Sequence, residues 1–529
     1  MPIDLDDGAA ESPLIDIGHE VGDNNIEVMG LDIHNPVFII SAVSVIALVA
    51  ITLAFPAITA TLFLGTKAWV TASFDWLFMA SANFFILFCI FLAFSRFGRV
   101  RLGGAAARPR YAYPGWLAML FAAGVGIGLM FFGVYEPLVH TLHTPLGIDP
   151  ADVETARAAG MAATIFHWGL HAWAIYALVG LALAFFCFNR QMPLTLRSAF
   201  FPLFGKAVWG PFGHVIDIMA VLATIFGLST SLGFGAEQIA AGLHYLFDIE
   251  ASNLTKVVLI LVIIAMALVS VVAGLDKGVK RLSELNMAMA FMLFMFVIIT
   301  GPTLYILQQF FYTTSDYLTY LPELSNWVGR EDTDFLHGWT IFYLAWWISW
   351  SPFVGMFIAR ISYGRTIREF LAWVLLAPTT ISILWMSALG GTGIEQYFDA
   401  GLSRLATVPP ELSLYVMLEN LPFSTFVSGV SVILIAIFFV TSADSGSLVI
   451  DTMTAGGKMN APVQQRVFWC LSTGMVAITL LMGGGMASLQ ALTIAVGLPF
   501  CVVLLLMCAS LYKGLHEEAV VPLAAPAPD

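Results

Sequence analysis

Charge is what this sequence has least of. Of its 529 residues only 11% are Asp, Glu, Lys or Arg and 59% are hydrophobic, whereas a soluble domain carries roughly 25% charged residues. The apolar residues fall in long uninterrupted runs that water cannot solvate, so a soluble globular enzyme is excluded. Basic residues are scarcest: 22 Lys and Arg against 35 Asp and Glu leave a net charge of −13. No basic face is available to meet phosphates, which argues against nucleic acid as a partner. Cysteine is nearly absent as well. Cys89, Cys187, Cys470, Cys501 and Cys508 lie mostly inside apolar runs without metal-ligand spacing, and read as membrane-packed thiols. The start lacks the basic region and adjoining apolar stretch of a signal peptide. Acid instead concentrates there, from Asp4 to Asp32, and residues 1–35 read as a solvated, poorly ordered tail.

What the sequence has in abundance is apolar length. Hydropathy marks twelve candidate spans, near 37–58, 76–95, 115–135, 161–187, 213–242, 255–274, 286–311, 338–359, 370–390, 422–443, 465–484 and 488–511. A helix needs about 20 apolar residues to cross a bilayer, and runs this long exclude the alternating strands of a β-barrel. The expected fold is an all-α integral membrane protein with twelve transmembrane helices. Two longer hydrophilic stretches, 312–337 and 391–421, are acidic and hold Tyr, Trp and Pro. With the N-terminus inside, 17 of the 22 cations fall on inner loops, leaving only Lys67, Arg157, Lys256, Arg330 and Arg404 outside. That asymmetry predicts a multi-pass protein of the cell (cytoplasmic) membrane with both termini cytoplasmic.

Two spans carry helix-breaking residues. In the third, Ala122-Ala123-Gly124-Val125-Gly126-Ile127-Gly128 sets three glycines at alternate positions, each costing about 1 kcal/mol in a helix interior. In the eighth, Ser349, Ser351 and Pro352 interrupt an apolar run, and proline frees a carbonyl. Such breaks are tolerated where backbone lines a cavity or is covered by protein. Glycines so spaced also serve ordinary helix packing; two breaks five helices apart favour a site. They divide the chain into a tail (1–35), two peripheral helices (36–112), two repeats of opposite orientation (113–312 and 313–512, helices 3–7 and 8–12) and a short C-terminal tail (513–529). This is the pattern of an inverted-repeat transporter with a midplane site.

Aromatics cluster on the same segments. Taken as one helix, the fourth span sets Trp168, Trp173 and Tyr176 within an arc of about 140°, and Trp347 and Trp350 share a face of the eighth. Aromatic stripes usually fill a core. Beside helix breaks they suit a trimethylammonium or dimethylsulfonium group, which offers no N–H and is held by indole faces.

The run from Trp346-Trp347-Ile348-Ser349-Trp350-Ser351-Pro352-Phe353 through Arg360-Ile361-Ser362 to Glu369-Phe370 closely resembles the signature of the betaine/choline/carnitine transporter (BCCT) family. So do Gly126-Ile127-Gly128-Leu129-Met130-Phe131 with Glu136-Pro137, the segment His167–Tyr176, Ser95–Gly98 with Arg101–Gly103, and Thr441-Ser442-Ala443-Asp444-Ser445. The resemblance runs from about residue 30 to 512. It implies a LeuT-type core of inverted five-helix repeats and often a homotrimer. It matches Trp168, Trp173, Tyr176 and Trp347 to an aromatic substrate box, and Trp350 and Phe353 to the access path. The implied activity is secondary active import of an onium zwitterion such as glycine betaine or dimethylsulfoniopropionate. A choline or carnitine carrier, proton-coupled or exchanging, is the alternative, and a non-transporting sensor or membrane enzyme a remote one.

No cofactor is expected beyond a coupling ion. Sodium-coupled members carry Gly-x-Gly-x-Gly on the third helix, as Gly124 to Gly128 do, so sodium symport is expected. Carbonyls of Ala122, Ala123 and Val125 and hydroxyls of Thr441 and Ser442 match the family's sodium site. The hydroxyls could equally bond back to their own helix. A second ion site is not assigned, since Leu228 follows Thr224 where a hydroxyl can stand. His167 and His171, spaced i, i+4, read as structural, Glu136 as stabilising a helix terminus, and Asp217, Glu237 and Asp444 as members of polar networks. The tail after Lys513 holds no further Lys or Arg, so tail-based osmotic activation is not expected.

Overall fold

The computed structural model describes residues 18–124, 126–273 and 279–520. A short antiparallel hairpin comes first, β1 (Asn25–Val28) and β2 (Leu31–His34). Its two-residue turn, Met29-Gly30, holds both residues at positive φ (51° and 79°), the backbone twist that closes a tight hairpin. Everything that follows is helical. α1 (Asn35–Ala54) and α2 (Pro56–Phe94) are separated by Phe55 alone. α3 (Tyr113–Gly124) and α4 (Ile127–Leu142) form one interrupted pair, and α5 (Val153–Trp168) and α6 (Leu170–Ala184) another. The four-residue α7 (Phe201–Phe204) leads to α8 (Pro211–Phe247), α9 (Asn253–Ala273), α10 (Val279–Thr300) and α11 (Thr303–Leu324). The three-residue α12 (Thr333–Phe335) precedes α13 (Ile341–Ile361) and α14 (Ile367–Phe398). The seven-residue α15 (Ser413–Glu419), α16 (Ser424–Thr454) and α17 (Val463–Val520) complete the chain.

Ten helical stretches among the described residues are long and apolar enough to cross a membrane. α3 and α4, with 12 and 16 residues, are each short of a crossing. α17 runs 58 residues through two non-helical glycines, Gly484 and Gly485, and Gly485 has φ +65°, where a side chain would be strained. α6, α13 and the middle of α8 pack at the centre and are largely buried, whereas α1, α9 and α10 expose large apolar side chains, as a lipid-facing layer does.

Three expectations are corrected. The eighth span is not broken: α13 continues through Pro352. Proline cannot bond the carbonyl four residues back, and Ser351 Oγ donates to that carbonyl, Ile348 O, at 2.7 Å, so the helix survives. The interruption lies instead in the fourth span, at Gly169. A Cβ there would stand 2.6 Å from Ile165 O. Part of the hydrophilic stretch 312–337 is helix, because α11 buries Ile306, Thr313, Tyr317 and Leu324 along one face.

Residues 18–34 are exposed along much of their length but are not a poorly ordered tail, while residues 1–17 lie outside the described residues. Asn25 Nδ2 donates to Asp32 Oδ1 (2.8 Å) and to Ala455 O (3.0 Å), and Lys458 pairs with Asp32 at 2.5 Å. His34 Nε2, 2.8 Å from Arg197 Nη1, accepts from that guanidinium and must be neutral to do so. Burial, then the Arg197 charge and the His214 and His19 rings, push His34 down to about 3 from 6.5. The folded state resists a proton that the undocked hairpin binds, so docking is complete above pH 6.5 and weakens as pH falls toward 3. Hydrogen exchange of β1 and β2, corrected for intrinsic rates, should speed up about tenfold from pH 7.5 to 5.5. His34→Gln should abolish that slope; pH-independent protection in the wild type would contradict the assignment.

Candidate functional site

The two interruptions come together. Around a small cavity stand Gly126, Ile127, Gly128 and Leu129 from the start of α4, Trp168 from the end of α5, Ala172, Trp173 and Tyr176 from α6, and Ser231 from α8. Trp346, Trp347, Trp350 and Val354 of α13 and Ser382 of α14 complete the wall.

The break at Gly169 ends the hydrogen-bond ladder of α5, and its loose ends are taken up by neighbours. His167 O accepts from Trp347 Nε1 at 2.8 Å, and Trp168 O from Ser382 Oγ at 3.0 Å. Leu170 N donates to Tyr317 Oη of α11 at 3.3 Å. A cage tryptophan therefore holds the break that positions another cage tryptophan. Trp168 and Trp347 meet edge to face, centroids 5.0 Å apart at 67°. Trp173 and Tyr176 do the same at 5.3 Å and 79°, and Tyr176 meets Trp347 at 6.2 Å and 75°. Trp346 stacks on the back of Trp347 (4.9 Å, 13°). These ring arrangements are favourable in themselves and keep π faces available. Gly128 permits the close packing, since a Cβ there would lie 2.4 Å from Trp168 Cη2.

Polar groups are few. Trp346 Nε1 donates to Gly227 O (3.3 Å) and Trp385 Nε1 to Leu129 O (3.0 Å). The buried Trp350 Nε1 has no hydrogen-bond partner. α4 begins at the cavity with Gly126 as its N-cap and no side-chain cap, and the first N–H groups of a helix have no partner within it.

Gly126, Gly128, Trp168, Trp173, Tyr176, Trp347 and Trp350 thus line one cavity, but Trp168 reaches it from a different helix than Trp173 and Tyr176. Phe353 stands behind Trp350, edge to face at 5.4 Å. Val125 lies outside the described residues, as do the surroundings of Ala123 and Gly124. Thr441 Oγ1 donates within its own helix, to Phe438 O (3.0 Å) or Ile437 O (3.1 Å), and accepts from Asn286 Nδ2 (3.2 Å), which leaves it one lone pair. The Asn286 Oδ1 beside it is buried without a partner. Ser442 is half-buried on the same turn of α16.

Glu136 does not stabilise a helix terminus. It is completely buried inside α4, and Trp168 Nε1 (2.7 Å) and Tyr343 Oη (2.5 Å) donate to its Oε2, with His167 Nδ1 2.6 Å from Oε1. Ligand atoms of Glu136, His140 and His167 lie within 4.8 Å of one another. A shared metal would hold donors about 3 Å apart, so the 2.6 Å approach is a hydrogen bond. His167 and His171 serve different partners, since His171 Nε2 sits 2.9 Å from Asn83 Oδ1. Of the remaining acids, Asp217 pairs with Arg197, Glu237 with Lys256 at 2.7 Å, and Asp444 accepts from Ser270 at 2.5 Å.

An apolar helical assembly with a cavity of aromatic faces and an uncapped helix N-terminus is a multi-pass membrane protein built to hold a small amphiphilic solute. The family model for betaine/carnitine/choline family transporters (BCCT) matches residues 36–520, and the chain belongs to that family. It is 53% identical, over 95% of both chains, to a glycine betaine/proline/choline transporter of Vibrio parahaemolyticus. Against a glycine betaine/proline/choline/ectoine transporter of the same species it is 48% identical over 94% of this chain and 90% of the relative. A glycine betaine transporter of Acinetobacter baylyi shares 45% identity over 92% of this chain and 74% of its own. These relatives are transporters, not enzymes.

Gly128→Ala should push the Trp168 ring out of the cavity and lower uptake of family substrates at least about tenfold, with a lowered Tm but a folded protein. Uptake in proteoliposomes beside a thermal melt checks this; wild-type uptake would place the transport path elsewhere.

Proposed function

We propose that the chain is a secondary transporter importing a quaternary-ammonium or sulfonium zwitterion of the glycine betaine type by sodium symport through alternating access. The observation that carries this reading is the meeting of two unlike features in one cavity wall. Aromatic faces of Trp168, Trp173, Tyr176 and Trp347 suit an onium group that cannot donate hydrogen bonds. The uncapped start of α4 and the unpaired Trp350 Nε1 suit a carboxylate. A zwitterion satisfies both, whereas choline would leave those donors unpaired. The names of the Vibrio and Acinetobacter relatives all include glycine betaine, and the two Vibrio names include choline as well.

Sodium is supported by a group of hard oxygens on α10 and α16: the spare lone pair of Thr441, Ser442 and the unpartnered Asn286 Oδ1 are groups that a small cation prefers. Counting α3 with α4 as one interrupted crossing and α17 as two gives twelve crossings, an even number that puts both termini on one side, and the excess of Lys and Arg on the inner loops supports the cytoplasmic one. Two inverted five-helix repeats of LeuT type and a homotrimer in the cytoplasmic membrane belong to the same proposal and rest on the family resemblance.

Proteoliposome uptake of labelled glycine betaine, choline, carnitine and dimethylsulfoniopropionate, with and without an inward sodium gradient, tests the proposal. Betaine-type zwitterions should accumulate only with the gradient, and Trp347→Ala should reduce uptake at least about tenfold. Gradient-independent accumulation would refute sodium coupling; preference for choline would refute the zwitterion assignment.

A further inference from the structure

Glu136 is an unexpected group beside an aromatic cavity: a carboxylate with no exposed surface and no Lys or Arg partner among the described residues. Its hydrogen bonds define its charge. Trp168 Nε1 and Tyr343 Oη both donate to Oε2, and an indole nitrogen can only donate. On Oε1, His167 Nδ1 lies at 2.6 Å and His140 Nε2 at 3.3 Å. His167 Nε2 is 3.0 Å from the Thr340 hydroxyl. A neutral imidazole donating from Nδ1 and accepting from Thr340 satisfies both of those contacts. The carboxylate thus receives donors on both oxygens and needs no proton of its own, and with both imidazoles neutral the cluster of Glu136, His140, His167 and Tyr343 carries one net negative charge. A buried charge without a counter-charge is costly in a bilayer and is retained where function needs it.

One side chain joins this cluster to the cavity. Trp168 gives its N–H to Glu136 and its ring to the cavity wall. We propose that Glu136 is the fixed counter-anion of the cage: the positive charge of the bound substrate completes a pair across the Trp168 indole. Two effects act together. The carboxylate attracts the onium charge directly through low-dielectric protein, and its hydrogen bond pushes electron density onto the indole and strengthens the ring's hold on a cation. Aromatic faces alone would accept an uncharged tert-butyl group for its shape; the anion behind them makes the cavity require a cation. This inference rests on the cage reading above and assigns Glu136 a role in selectivity without contact to the substrate.

The test compares glycine betaine with 3,3-dimethylbutanoate, in which carbon replaces the quaternary nitrogen and shape is conserved. Equilibrium binding of both is measured on purified full-length protein at saturating sodium. Glu136→Gln keeps the size of the side chain and an acceptor for Trp168 while removing the charge. It should weaken betaine about tenfold and leave the carbon analogue within about twofold, so the preference ratio falls about tenfold. Tyr343→Phe deletes a donor but keeps the charge, and should change both ligands alike. Equal weakening of the two ligands by Glu136→Gln would make the residue purely structural and overturn the proposal. So would a tenfold loss of preference in Tyr343→Phe, which keeps the test decisive if Glu136→Gln does not fold. A wild-type protein that binds the two ligands equally would also overturn the proposal, whereas one that binds neither would refute the cage reading itself.

Discussion

One hydrogen bond ties the site together: Trp347 Nε1 to the carbonyl of His167, 2.8 Å long. In hydrocarbon an unpaired backbone carbonyl costs several kcal/mol, so a helix can be interrupted there only if something else bonds its loose ends. At Gly169 those partners come from three other helices, through Trp347, Ser382 and Tyr317. The break sets the direction of Trp168, and Trp168 in turn touches Trp347 and Glu136. Backbone satisfaction, ring packing and the buried carboxylate form one unit, in which removing any member disturbs the others.

The same constraint explains why α13 stays whole. Proline and glycine are both called helix breakers, yet Pro352 leaves one carbonyl to be paired and Ser351, its immediate neighbour, pairs it. Around Gly126 there is no side-chain cap, and the first residues of α4 line the cavity. The chain keeps polarity where a solute can complete it and removes it elsewhere.

Much of this was legible in the sequence, for identifiable reasons. Long apolar runs can only be membrane helices, and indoles set among glycines within spans have few other uses. The cage tryptophans, Tyr176 and the glycines of α4 could therefore be named from residue type. Their geometry could not. A continuous fourth helix puts Trp168, Trp173 and Tyr176 on one arc, but the close approach of Gly169 to Ile165 O belongs to the folded chain. Glu136 was misread for a related reason: it sits one residue before Pro137, while Trp168 and Tyr343 are 32 and 207 residues away. The hairpin at 25–34 was hidden by its acidity, since Asp32 counts toward a solvated tail until Lys458 is seen beside it.

The account stands on the claim that one cavity holds an onium group against indole faces and a carboxylate against the start of α4. An experimental structure of the full-length protein with glycine betaine and sodium tests it most directly. The account predicts the trimethylammonium group among Trp168, Trp173, Tyr176 and Trp347, with the carboxylate toward Gly126–Gly128 and Trp350 Nε1. Betaine bound outside this cavity, or lying in it with its carboxylate against the indole faces, would contradict it.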